Sequence, residues 1–357
     1  MGILISLIVL SVLIIVHEFG HFLVARYFKV QVDEFGLGIP ILITKPIYKK
    51  KIGNTVYSLY PMLLGGFVRM KGQDDFDLSK KSSDPDSYMS KTPWQKIAIL
   101  LAGPFANFLL AFVLYIAIAL LGTQKLAPTI GSIQENSPAM QAGLKLHDKI
   151  LSINNQPVQS WDDIGKIINQ SNGSISLKIQ RETNIISLQI TPRIQEVQNI
   201  FKENVKKKII GIAPSGEVIT LKFNGILEIL QYSWDETLKA ATLIIQSVQK
   251  LIQGIIPADQ MGGIVSIVQV TSQASALGLA TLFTLAALIS VNLGILNLLP
   301  IPALDGGHIM FNVYEIIFKR PPSENVFYRL TIAGWVFLLS IMVFATYNDI
   351  VRLTGGD

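Results

Sequence analysis

The hydrophobic pattern divides the chain into four long apolar runs separated by polar segments of unequal length. The runs are Met1 to Ala25, Ile97 to Leu121, Leu277 to Leu299, and Leu330 to Ala345 or slightly beyond. Each is about long enough for a helix to cross the hydrocarbon of a bilayer, so the pattern predicts a polytopic α-helical membrane protein with about four transmembrane helices. Between the first two runs the period changes. Val32, Phe35, Ile41, Ile43, Ile47, Val56, Tyr57, Leu59 and Tyr60 form short β-like patches, and Gly36, Gly38, Gly53-Asn54, Gly65 and Gly66 supply turns. A pair of membrane-associated β-hairpins dipping toward the first helix is expected, with a small cytoplasmic β subdomain as the alternative. Non-helical backbone at membrane depth needs protein or water around it, so dipping hairpins imply a cavity beside that helix. Their open edge would take an unwound substrate segment by strand addition. The following tract, Gln73 to Ser90, is polar and expected to be mobile.

The stretch from Gly122 to Ala276 separates the second and third runs. Alternation at Ile175, Leu177, Ile179 and at Ile186, Leu188, Ile190 predicts a hairpin turning at Glu182 to Asn184, and Ser160 to Gln170 reads as a capped helix. Ser137-Pro138-Ala139 followed by Ala142 to Ile150 resembles a bacterial PDZ domain, an inserted α+β unit over 126–194. In that resemblance the peptide groove starts near Thr129, Ile130 and Gly131, and a peptide adds as a strand. His147 reads as an ordinary surface histidine of this unit. Residues 195–276 are expected to form a linker and an amphipathic helix. Within Leu221 to Ile256, apolar positions from Ile226 to Ile252 are interrupted by Glu228, Asp235, Glu236, Lys239 and Lys250, which favours a helix on the membrane surface over a fifth span.

Charge sets the orientation. Arg26 and Lys29 follow the first run, Lys91 and Lys96 precede the second, and Lys319, Arg320 and Arg329 lie between the third and fourth. These short loops are therefore expected on the cytoplasmic side, with both termini and the long insert on the exported side. The net charge of +5 comes mostly from loop lysines and argues for membrane topology, with no nucleic-acid partner. Half of the residues are hydrophobic, too many for an ordinary soluble chain of 357 residues.

The first run carries the candidate chemistry: His17-Glu18-Phe19-Gly20-His21, an HExxH pattern, contains its only ionisable side chains. Spacing by four puts both imidazoles on one helix face, where they can bind one ion, with Glu18 beside them as the base for a water molecule. A secretory signal peptide is the plain alternative, but no Lys or Arg precedes Arg26. There is no cysteine, so a zinc site must be built from His, Asp or Glu, and the other histidines are His147 and His308. The third run ends in Asn297-Leu298-Leu299-Pro300-Ile301-Pro302-Ala303-Leu304-Asp305-Gly306-Gly307-His308. Two prolines break the helix, Gly306-Gly307 permits a tight turn, and Asp305 is placed at the break. Asp305 is a candidate third ligand there, a helix cap is its structural alternative, and His308 competes for the role.

Together, HExxH and Asn297 to Gly307 resemble the site-2 protease family of intramembrane zinc metalloproteases, whose signatures are HExxH and NxxPxPxLDGG. The single PDZ-like insert is most similar to the bacterial regulator of sigma E protease group in its single-PDZ form. Pro61 to Gly72 and Gly103-Pro104-Phe105-Ala106-Asn107-Phe108 match further family motifs. The resemblance implies one zinc ion per chain held by His17, His21 and Asp305, with Glu18 as catalytic base and Asn297 holding substrate or the developing oxyanion. It also implies a multi-pass protein of the bacterial cytoplasmic membrane, acting in regulated intramembrane proteolysis and stress response. Its partners would be the bilayer and single-pass substrates such as anti-sigma factors or remnant signal peptides. Two readings of other classes stand beside it, a membrane metal-handling protein and a PDZ adaptor with an inert zinc site. The chain departs from relatives with two PDZ domains in tandem, and has Gly263-Ile264 where relatives usually have Gly-Pro.

Overall fold

Four helices match the apolar runs in the computed structural model, which describes residues 2–38, 45–62, 65–73 and 84–355. They are α1 (Gly2–Tyr27), α2 (Pro93–Leu121), α7 (Leu279–Asn297) and α9 (Glu324–Leu353), each long and apolar enough to span a bilayer. The β-patch positions Ile41 and Ile43, and residues 74–83 of the polar tract, lie outside the described residues. The described chain divides into two compact units, Met1–Ile118 with Ile226–Asp357, and Ala119–Gly225.

In the first unit, small residues let the apolar helices approach closely. Val291 and Ala287 of α7 pack on Ala111, Tyr115 and Ile118 of α2 in one buried cluster. On the other flank α1 packs along α6 (Ile264–Leu277), where the Ser6 hydroxyl donates to the Val268 carbonyl at 3.0 Å. Helix α6 falls within the stretch expected to be linker. Its N-terminus is capped by a side chain distant in sequence: the Asp349 carboxylate of α9 accepts from the Gly263 and Ser266 amides, each at 3.0 Å. The ambiguous stretch forms α5 (Ile226–Ile252), which buries Ser233, Thr237 and Ala240 and packs on α7. It carries too many charges to count among the four apolar spans.

The segment after α1 is one four-stranded sheet in place of two separate hairpins. Its strands are β1 (Val32–Leu37), β2 (Tyr48–Ile52), β3 (Thr55–Leu59) and β4 (Gly66–Met70), ordered β2-β3-β1-β4. A hairpin at Gly53-Asn54 joins β2 to β3, but β3 then pairs parallel to β1, and β4 returns antiparallel on the far side of β1. Edge strand β4 lies against α1: a Cβ on Gly66 would sit 3.0 Å from Ile14 and 3.1 Å from Glu18. Glu34 in β1 is buried, accepting from Ser58 at 2.5 Å and Tyr60 at 3.0 Å and pairing with Arg69 at 3.1 Å, so this internal charge is satisfied.

The second unit is longer than the 126–194 expected. It contains β5 (Thr123–Leu126), β6 (Ile130–Ile133), α3 (Pro138–Gln141), β7 (Lys149–Ile153), β8 (Gln156–Pro157), α4 (Trp161–Gln170), β9 (Ile175–Arg181) and β10 (Asn184–Ile190), followed by β11 (Arg193–Gln198), β12 (Asn204–Ile209), β13 (Ile212–Pro214) and β14 (Val218–Leu221). The capped helix and the hairpin fall where the pattern put them, with a Ser160–Asp163 capping box on α4. Residues 195–225, expected to be linker, instead complete the unit: β13 pairs with β6, and β14 with β5. That pairing bears on the expected groove at Ile130: Pro214 of β13 lies opposite it, while its N–H donates to the Asp148 carbonyl and its C=O accepts from the His147 amide, so Ile130 presents no open edge. A concavity of the unit lies between α4 and 207–213, lined by Trp161, Ile164, Ile168, Ile210 and Ile212.

Candidate metal centre

The metal-ligand candidates come from two distant parts of the chain. His17 and His21 sit one turn apart on α1, both buried, with ring centroids 4.8 Å apart. Asp305 is the first residue of α8 (Asp305–Phe318), after the irregular stretch that ends α7. Leu298 caps α7, Pro300 and Pro302 prevent its continuation, and Ala303 takes a left-handed φ of 87°. The positive φ that aims the chain thus falls on Ala303 and not on Gly306-Gly307. Those glycines serve close approach: a Cβ on Gly306 would overlap the Leu299 carbonyl, and one on Gly307 the Ile301 carbonyl.

Asp305 does not cap α8. Its Oδ2 is 3.2 Å from His17 Nε2 and 3.4 Å from His21 Nε2, and the two Nε2 atoms are 3.2 Å apart. This buried Oδ2 makes no hydrogen bond. A buried carboxylate oxygen without a donor is costly, and a cation held between the three converging ligand atoms would offset that cost. The edges of the triangle fit zinc, since bonds of about 2.0–2.1 Å in tetrahedral geometry separate ligand atoms by about 3.3–3.4 Å. His17, His21 and Asp305 form the group of potential metal ligands among the described residues. His308 lies elsewhere, its ring against those of Phe311 and Phe327.

Around this triangle is a cavity of about 410 Å³ lined by Glu18, Asn297, Asp305 and residues 65–68 of the β4 edge. Val68 of β4 lines this cavity beside Glu18. Asn297, the last residue of α7, places its Nδ2 3.4 Å from His17 Nε2. Helix α2 supplies contacts that the sequence reading assigned no role. The Ile99 carbonyl accepts from His21 Nδ1 at 2.8 Å, Asn107 meets His17 Nδ1 at 3.1 Å, and Gly103 leaves room for the His21 ring, which a Cβ there would overlap. Their spacing of four along α2 is the one signal that places them on a common face.

A model of peptidase family M50 matches residues 5–341. The chain belongs to peptidase family M50, the site-2 protease family. A Campylobacter jejuni protein described as "Putative zinc metalloprotease" is 44% identical over 350 residues, covering 98% of this chain and 93% of the relative. A Helicobacter pylori protein of the same description is 36% identical, covering 98% and 99%. "Metalloprotease MmpA" of Caulobacter vibrioides is 31% identical, covering 97% and 94%. This M50 member is therefore a zinc metalloprotease, and its apolar helices make it a multi-pass membrane protein.

Proposed function

We propose that this M50 protein is an intramembrane endopeptidase of the bacterial cytoplasmic membrane that cuts single-pass membrane proteins within or beside their spans, near the cytoplasmic face. The observation that carries the reading is the meeting of the His17–His21–Asp305 triangle, Glu18 and the β4 edge in one cavity beside apolar helices. One zinc ion per chain held by these three residues supplies Lewis acidity toward a carbonyl or water oxygen. Glu18 takes the proton of the attacking water as its oxygen bonds the scissile carbonyl carbon, and delivers that proton to the departing amide nitrogen as the C–N bond breaks. The Asn297 amide donates to the oxygen on which charge develops. A locally unwound substrate segment pairs with the outer edge of β4, which holds its peptide bonds extended before Glu18.

The family resemblance supports anti-sigma factors and remnant signal peptides, already trimmed outside the membrane, as substrates in regulated intramembrane proteolysis. In this scheme the unit at 119–225 is a PDZ-like domain on the exported side that excludes untrimmed substrates by size. Its entry and exit strands permit a clean test, because β5 and β14 pair from Thr123↔Leu221 to Leu126↔Val218. Replacing residues 127–217 by a short turn leaves that ribbon intact. In lipid, the full chain should cut only a substrate whose exported domain has been removed, and the shortened chain should cut both forms. Unchanged selectivity in the shortened chain overturns the filter, and a cut mapped far outside the span overturns the intramembrane reading.

A further inference from the structure

Ile99, Gly103 and Asn107 of α2 lie one turn apart and face the two histidines, but they treat them differently. The bond from His21 Nδ1 to the Ile99 carbonyl, 2.8 Å, places that ring's hydrogen on Nδ1 and leaves the Nε2 lone pair for a cation. His17 has no backbone carbonyl in that position. Its Nδ1 faces the side-chain amide of Asn107 at 3.1 Å, nitrogen end inward. Asn107 is completely buried, its Oδ1 makes no hydrogen bond, and its own carbonyl accepts from the Ser290 hydroxyl of α7 at 2.8 Å.

A neutral imidazole carries one N–H. For His17 Nε2 to offer its lone pair at the triangle, the hydrogen must sit on Nδ1, where it needs an acceptor. The amide nitrogen of Asn107 is a donor only. A half-turn of the amide places Oδ1 against Nδ1 and breaks no other bond of the side chain, since Oδ1 has no partner to lose. We propose that Asn107 is a positioning residue of the metal centre: its Oδ1 accepts from His17 Nδ1–H and holds that ring in the orientation and tautomer that direct Nε2 at the ion. The inference rests on the reading of His17, His21 and Asp305 as zinc ligands. It makes α2 the common support of both histidines, through a main-chain carbonyl for one and a side-chain carbonyl for the other. Partners of this kind fix ring direction and raise ligand basicity.

The test measures zinc affinity, by chelator competition, in the full-length Glu18→Gln protein so that proteolysis plays no part. The parent should bind zinc, and His17→Ala should lose it. Asn107→Leu keeps the volume but has no acceptor, and should weaken binding about 10- to 100-fold. Asn107→Ser, too short to reach Nδ1, should do the same without adding an apolar group. Asn107→Asp offers an acceptor-only carboxylate and should restore affinity to within several-fold of the parent. A packing role predicts the reverse order, with Leu tolerated and a buried Asp harmful. Leu binding as tightly as Asn, or Asp as weakly as Leu, overturns the inference while the zinc site stands. A parent that binds no zinc, or binding that survives His17→Ala, removes the metal-centre reading and this inference with it.

Discussion

Gly103 shows how little room the centre has. A methyl group there would overlap the His21 ring, whose Nδ1 is already tied to Ile99. Gly103→Ala must therefore displace a ligand. It should reduce zinc affinity and proteolysis at least about tenfold, although alanine is the better helix former by about 1 kcal/mol. Gly165→Ala in α4, where nothing lies within 4 Å of the new methyl, is the matched control and should leave both unchanged. Zinc affinity measured on the two variants decides the matter, and equal binding would contradict the packing argument. The HExxH pattern was legible because spacing by four on a helix fixes a common face whatever surrounds it. Asp305 was legible as a candidate from the proline break. The supporting roles of Ile99, Gly103 and Asn107 were not, because a main-chain carbonyl, a missing side chain and one amide in an apolar helix leave no periodic mark of what they meet.

At the scale of elements, the second unit relies on a buried charge that its strands hold in place. Asp148 is fully buried just before β7. Burial alone would raise its pKa, but the Arg181 guanidinium, at 2.8 Å to each carboxylate oxygen, and the Lys145 amide at 2.8 Å outweigh this and hold it below the usual carboxylate range. A carboxyl group whose pKa is lower folded than unfolded contributes stability above its unfolded value, about 3.9, and loses it as pH falls through the folded value. Arg181→Leu should therefore destabilise the unit by about 3 kcal/mol at neutral pH, with the difference from wild type shrinking below about pH 4. Hydrogen exchange of the β7 and β9 amides reads both effects, and a pH-independent loss would contradict the ion-pair account. The elements that sequence reading missed share one physical cause, distant pairing. Strands β11 to β14 are short, and β12 carries Lys206, Lys207 and Lys208, so they look like linker until β13 and β14 find β6 and β5. The parallel register of β1 with β3 is equally invisible, since alternation reports which face is buried and not which neighbour is paired.

Across the whole molecule, the four spans and the order of the motifs were legible because hydropathy over the length of a span depends on no partner. What folding adds is the convergence of sequence-distant pieces: α1 brings two histidines and the glutamate, α7 an amide, the start of α8 a carboxylate, and β4 the edge strand of its sheet. The most direct test of the account is proteolysis of a trimmed single-pass substrate in lipid by metal-stripped protein, before and after zinc is restored, for wild type and Glu18→Gln. The account predicts cleavage by wild type only with zinc, and zinc bound equally by Glu18→Gln but with the rate lower by at least about a hundredfold. Equal cleavage by both proteins, or cleavage that persists without metal, would contradict it.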